Sequence, residues 1–126
     1  MEYQELTAKI IGCAFKVYNT LGFGFLESVY ENSLAIELKK AGFKVEQQKP
    51  IKVYYEGELV GSFKADLVVD EIIILELKSV RQILKEFEVQ LVNYLTATIK
   101  PVGLILNFGP ERVDVKRKVR VLPAKE

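Results

Sequence analysis

Apolar residues recur every three or four positions in the first third of the chain, then every second position, then in unbroken runs. Each change of period marks a change of element. In residues 4–19, Ile11, Phe15 and Tyr18 return at helical spacing with Ala8 and Ala14 nearby, predicting a first helix that closes at Leu21-Gly22. Residues 26–41 carry a second stripe, Leu26, Val29, Tyr30, Leu34, Leu38 and Ala41, and Gly42 supplies the positive-φ residue that commonly ends a helix. The connecting Leu21-Gly22-Phe23-Gly24-Phe25 is too short and too apolar for a free loop and predicts a tight, packed corner. Past Gly42 the period becomes two. Ile51, Val53 and Tyr55 alternate with Lys52, Tyr54 and Glu56, and Glu56-Gly57-Glu58 turns the chain into residues 59–69, which together read as a β-hairpin. Asp70-Glu71 is the next turn. The run Ile72-Ile73-Ile74-Leu75-Glu76-Leu77-Lys78 has the unbroken apolar start of a central strand covered on both faces. Residues 82–98 predict a helix buried through Ile83, Leu84, Phe87, Leu91, Tyr94 and Leu95, stopped by Pro101. Residues 102–108 read as a second buried strand, and Val113, Val115, Val119 and Val121 belong to a final strand or two. A helix between two strands usually makes them parallel neighbours. The expected class is therefore α/β: two N-terminal helices, three antiparallel strands, a crossover helix and further strands, forming a mixed central β-sheet flanked by helices.

Composition narrows this to one domain spanning residues 1–126. The chain is 49% apolar, without repeat, linker or low-complexity stretch, and a chain of this mass can bury roughly two-thirds of its surface without disulfides or structural metal. It contains no His and a single Cys. Ser-His-Asp and Cys-His nucleophiles, His-ligated metals and imidazole bases are therefore excluded, as are zinc ribbons and disulfide frameworks. Cys13 reads as a small core hydrophobe. The net charge of +1 neither demands nor excludes a polyanionic partner. Residues 111–126 are mildly basic, as expected of a solvated strand edge guarded by Lys and Arg. No apolar run approaches the roughly 18 residues of a membrane span, and Met1-Glu2-Tyr3-Gln4-Glu5 lacks a positive leader, so a cytoplasmic protein with no membrane partner is expected.

What remains for chemistry is carboxylates, lysines, tyrosines and backbone dipoles. Glu76 and Lys78 sit at the end of the most hydrophobic strand, on one face and about 7 Å apart. Asp66 interrupts the preceding apolar strand. A three-residue turn centred on Glu71 pairs 69 with 73 and therefore 66 with 76, placing the two acids side by side; a two-residue turn puts them on opposite faces. With 14 Glu and 14 Lys, chance alone supplies one or two Glu-x-Lys triplets, and Glu37-Leu38-Lys39, on a helix with a solvated face, is one without functional weight. The strand copy differs in its apolar context and in the Asp one strand back. A plain Glu76/Lys78 ion pair is the competing explanation.

Asp66 followed after nine residues by Glu76-Leu77-Lys78, within this order of elements, resembles the PD-(D/E)xK nuclease superfamily and its restriction-endonuclease-like fold. Ala65 stands where the pattern's name places Pro. Gly24-Phe25-Leu26-Glu27-Ser28-Val29-Tyr30 matches G-x-x-E-x-x-Y, the signature of the GxxExxY family within that superfamily. The resemblance implies Mg²⁺- or Mn²⁺-dependent hydrolysis of nucleic acid, DNA above all. The implied catalytic residues are Asp66, Glu76, Lys78 and Glu27, with Asp66, Glu76 and Glu27 as metal ligands. Lys78 would sit beside an activated water. Glu27 on its own reading is an acid in a first helical turn, where the helix dipole favours it. Gln90 and Tyr94, four apart on one helix face, are similar to the Q-x-x-x-Y element of RecB-like members, and with Tyr30 they are the expected substrate contacts. They equally fit a core Tyr with a flanking Gln. Arg81 and Lys85 read as ordinary exposed cations able to meet phosphates. Gly22-Phe23-Gly24 follows no strand and is not a dinucleotide loop. Two other functions fit the same features: a catalytically inactive module with this fold that binds nucleic acid or protein, and a junction-resolving endonuclease acting as a homodimer.

Overall fold

The computed structural model describes residues 3–120. Two helices, α1 (Gln4–Leu21) and α2 (Glu27–Lys40), precede the hairpin β1 (Val45–Tyr55) and β2 (Glu58–Val69) and the short strand β3 (Ile73–Lys78). The crossover helix α3 (Lys85–Thr98) leads to β4 (Val102–Phe108) and β5 (Val113–Val119). Five strands form one sheet in sequence order. Only β3 and β4, joined through α3, run parallel. This is the expected mixed sheet flanked by helices, with a restriction-endonuclease-like architecture.

The sheet separates two cores. On one face α1 and α2 bury Ile10, Ala14, Val17, Tyr30, Leu34 and Leu38 against Leu67, Leu75, Leu104 and Leu106; on the other, α3 packs Leu91, Tyr94 and Leu95 on Val68, Ile74 and Ile105. β3 and β4 are thus apolar on both sides, which is why their sequences run unbroken. Gly103 lets α3 lie close to β4: a Cβ there would stand 2.8 Å from Leu91 Cδ1 and 3.1 Å from the Ile74 carbonyl oxygen.

The helix stripes are partly misjudged from sequence. α1 is buried through Thr7, Ile10, Ala14 and Val17, one step round from the expected face; Ile11 and Tyr18 flank it, and Phe15 and Ala8 are exposed. Small Ala14 permits a close approach that Phe15 would prevent. In α2, Tyr30, Leu34 and Leu38 are buried as expected, but Leu26 and Ala41, at the cap positions, face out. α3 begins at Lys85 rather than 82, with Leu84 as its exposed N-cap, and ends where Ile99 turns left-handed, before Pro101. The corner at 21–25 is pinned, although Phe23 and Phe25 remain about half exposed. The Tyr30 hydroxyl donates to the Gly22 carbonyl at 2.5 Å and accepts from Phe25 N at 3.3 Å. β5 is an edge strand bearing Lys and Arg, in keeping with its sequence, whereas Val121 lies outside the described residues.

Candidate metal centre and nucleic-acid groove

The turn from β2 to β3 has three residues. Asp70 and Glu71 take left-handed conformations, and Val69 pairs with Ile73, Val68 with Ile74 and Leu67 with Leu75. Continuing this register sets Asp66 opposite Glu76. There the regular ladder stops, and side chains take over from backbone carbonyls: Asp66 N–H donates to Glu76 Oε2 at 2.9 Å, and Leu77 N–H donates to Asp66 Oδ2 at 2.8 Å. The pleat breaks at the same point, since Ala65 packs on the α3 side while Leu67 packs on the α1 and α2 side. Each carboxylate is therefore clasped by the other strand through one oxygen.

Glu76 is buried. Burial pushes its carboxyl up to about 8; the Asp66 charge and, least of all, the Glu27 charge add to the rise, while the bond from Asp66 N–H and the Lys78 charge oppose it. Lys78 projects toward α3, with its ammonium 4.4 Å from the centre of the Phe87 ring. Its Nζ has no close ion pair with Glu76 among the described residues, so the competing ion-pair explanation is not what holds the strand end. The loop beyond Lys78 is tied down by buried Asn107, whose side-chain oxygen accepts from Val80 N–H at 2.9 Å and whose amide donates to the Val80 carbonyl at 2.8 Å.

Two residues unremarked in the sequence join Asp66 to α2. Buried Glu31 accepts from Gln48 Nε2 at 2.6 Å and from Gln47 Nε2 at 2.8 Å, and Gln48 Nε2 also lies 3.4 Å from Asp66 Oδ1. Gln48 has φ 51 and is skipped in the β1–β2 ladder. The available signal was Glu31 itself, an acid four residues after Glu27 on a helix face that continues through Leu34 and Leu38.

Glu27 is the first residue of α2 and exposed. The acids that meet are Asp66 and Glu76, and among the described residues no three His, Cys, Asp or Glu side chains gather as a group able to hold a metal ion. Gln90 and Tyr94 do share a face: Gln90 Nε2 donates to the Tyr94 hydroxyl at 2.7 Å. Burial raises the Tyr94 pKa, and the Glu76 and then the Asp66 charges add to this against that hydrogen bond. Both residues line a groove of about 1120 Å³ between the β1–β2 hairpin and α3. Tyr30 corrects the expectation of a substrate contact. It is fully buried, stacked on Phe108 at 4.4 Å, and its hydroxyl is committed to the corner, so no part of it is open to a ligand. Arg81 and Lys85 are exposed, and Cys13 is half-buried.

A family model described as the PD-(D/E)XK nuclease superfamily matches residues 4–119. The chain belongs to that superfamily. The crystal structure of SSO0001 superposes with a TM-score of 0.59 at 19% identity over 77% of this chain, a likeness of fold alone. This chain covers 52% of that one, about half its length. A search among curated proteins returns no match. PD-(D/E)XK nucleases generally use divalent metal ions and act on nucleic acid. No helix among the described residues is long and apolar enough to cross a membrane.

Proposed function

We propose that this chain hydrolyses phosphodiester bonds in nucleic acid, DNA in the first instance, with Mg²⁺ or Mn²⁺ as its ion. Within the superfamily we assign it to the GxxExxY group on Gly24, Glu27 and Tyr30. The observation that carries the functional reading is the clasp in which Asp66 and Glu76 each accept the other strand's backbone N–H. It fixes two hard oxygen donors side by side and leaves Asp66 Oδ1, with only the long Gln48 contact, and Glu76 Oε1 for a further ligand. Two carboxylates suit Mg²⁺, which commonly takes one or two from the protein and fills its shell with water and substrate phosphate. When bound, the ion supplies Lewis-acid stabilisation of the charge that builds on a phosphodiester.

The chain's own groups supply the rest. Lys78, steadied over Phe87, brings a positive charge to the same strand end and offsets negative charge on the phosphate. Gln90 holds the Tyr94 phenol at the wall of the groove. Glu31 and Gln48 brace Asp66 from α2. Glu27 is assigned as an outer acid of the site. Its charge acts on Glu76 from the start of α2.

The test is calorimetric titration of Mn²⁺ and Mg²⁺ into the wild type and Asp66→Asn, beside cleavage assays on duplex and single-stranded DNA and on RNA. Metal binding and cleavage are expected in the wild type and loss of both in the variant. A chain that binds neither ion and cuts no nucleic acid is a binding module on this fold, and the proposal falls.

A further inference from the structure

The groove between the hairpin and α3 is larger than the site needs for a phosphate and an ion, and its lining is of a different kind. At about 1120 Å³ it exceeds the roughly 300–1,000 Å³ of pockets that enclose a drug-sized molecule. Phe63 and Tyr54 enter it from the hairpin, and Phe87 and Tyr94 from α3. Tyr54 is 59% and Phe63 44% exposed, and the Phe63 and Tyr94 rings pack on each other with centroids 5.6 Å apart. Lys52 and Lys85 line it as well, against one acid, Glu86.

We infer that this groove is a channel for single-stranded nucleic acid, whose bases stack on Phe63 and Tyr54 while Lys52 and Lys85 meet its phosphates. The inference rests on the hydrolase reading for where the strand leads. The groove reaches toward the strand end that bears the carboxylates, because its wall residue Phe87 also carries the Lys78 ammonium 4.4 Å over its ring and its wall residue Tyr94 feels the Glu76 and Asp66 charges. Exposed rings beside cations complement unstacked bases beside phosphates. They complement a duplex poorly, because its base faces are covered by their neighbours and it is held chiefly through phosphates by clustered Lys and Arg. A groove with two lysines and one glutamate, on a chain of net charge +1, lacks that cluster.

The experiment is fluorescence anisotropy in EDTA, where nothing is cut, with the full chain and three probes: a labelled oligothymidylate of about 12 nucleotides, the matching oligouridylate, and a hairpin duplex. Either single strand is expected to bind at least tenfold more tightly than the duplex. Tyr54→Ala and Phe63→Ala are each expected to weaken it by about 5- to 150-fold, the range that loss of one base–aromatic stack brings. Circular dichroism verifies folding; should Phe63→Ala unfold, Tyr54→Ala at its exposed position still decides. Asp66→Asn should bind the strand as well as or better than the wild type, since it removes a negative charge. Equal affinity for duplex and single strand, no binding, or unchanged affinity in Tyr54→Ala overturns the inference, whatever occupies the groove instead. Metal-dependent cleavage that survives such a result leaves the hydrolase reading standing. Selective strand binding by a chain that binds no metal and cuts nothing upholds the groove and removes the hydrolase.

Discussion

Glu76 concentrates the electrostatic tension of the molecule. With its carboxyl raised from 4.5 to about 8, the folded chain keeps a proton that the unfolded chain has released. The stabilisation is fully present below about pH 4.5 and is lost as pH rises through about 8. The metal-free protein should therefore lose on the order of a few kcal/mol over that window, read as a fall in the urea midpoint between pH 5 and pH 8, and Glu76→Gln should flatten the profile. Glu37, Glu46 and Glu88, whose pKa values are lowered by bonds from Lys16, Lys49 and Lys118, act below pH 4.5 and do not contribute to that slope. Glu27 is the sharper test of the helix signature. Glu27→Gln is expected to change metal-free stability by less than about 1 kcal/mol while weakening Mn²⁺ binding; unchanged affinity, measured by calorimetry beside Asp66→Asn, makes Glu27 only a helix-start acid. Asp66, Glu76 and Lys78 were legible in the sequence because a charge in an otherwise apolar strand demands a reason. Glu31, Gln47 and Gln48 were not, because their pairing depends on how α2 crosses β1, which no local pattern encodes.

At the scale of elements, the acid pair depended on one number, the length of the turn after Val69. The three-residue turn gives the register that period-two reasoning requires, and Ile72 N–H closes it on the Val69 carbonyl at 3.0 Å. The sequence does not reveal that β2 and β3 stop pairing beyond Leu67 and Leu75, so that carboxylates bridge them. Strand alternation shows which face a residue takes, not where two strands part. The same limit explains α1, where two adjacent stripes are both apolar and the choice falls to Ala14, the small residue that lets the helix approach the sheet. Gly103 performs the corresponding service for α3. Gly103→Ala should cost about 1–3 kcal/mol, measured by chemical denaturation, because the Ile74 carbonyl behind it cannot swing aside as Leu91 can. Nothing in the apolar pattern of residues 102–108 singles out Asn107, yet it holds the chain that leaves the site. Asn107→Ala strips both bonds from Val80 and should destabilise by about 1–3 kcal/mol, with faster amide exchange at Val80 as the local sign.

For the whole molecule, composition carried more than charge did. The absence of His left carboxylates, lysines, tyrosines and backbone dipoles for any chemistry, and the sheet then brought Asp66, Glu76 and Lys78 to one strand end. Net charge +1 left the partner open, but it bounds how that partner can be held. Acidic and basic residues are spread over the surface, and several lysines are already engaged: Lys16 with Glu37, Lys44 with Glu71, Lys49 with Glu46 and Lys118 with Glu88. Lys52, Lys85 and Lys78 form no salt bridge among the described residues and stand along one path, from the groove to the end of β3. If these three meet phosphates, three contacts on a single strand set the slope of log K against log salt at about −2. Lys52→Gln, remote from the carboxylates, should lower affinity and bring the slope to about −1.4 without altering Mn²⁺ binding. Anisotropy titrations between low and moderate salt measure both. A slope near zero means that no phosphate is held. A slope of −2 that Lys52→Gln leaves unchanged places the contacts on another surface, with the basic β5 edge the first region to substitute next.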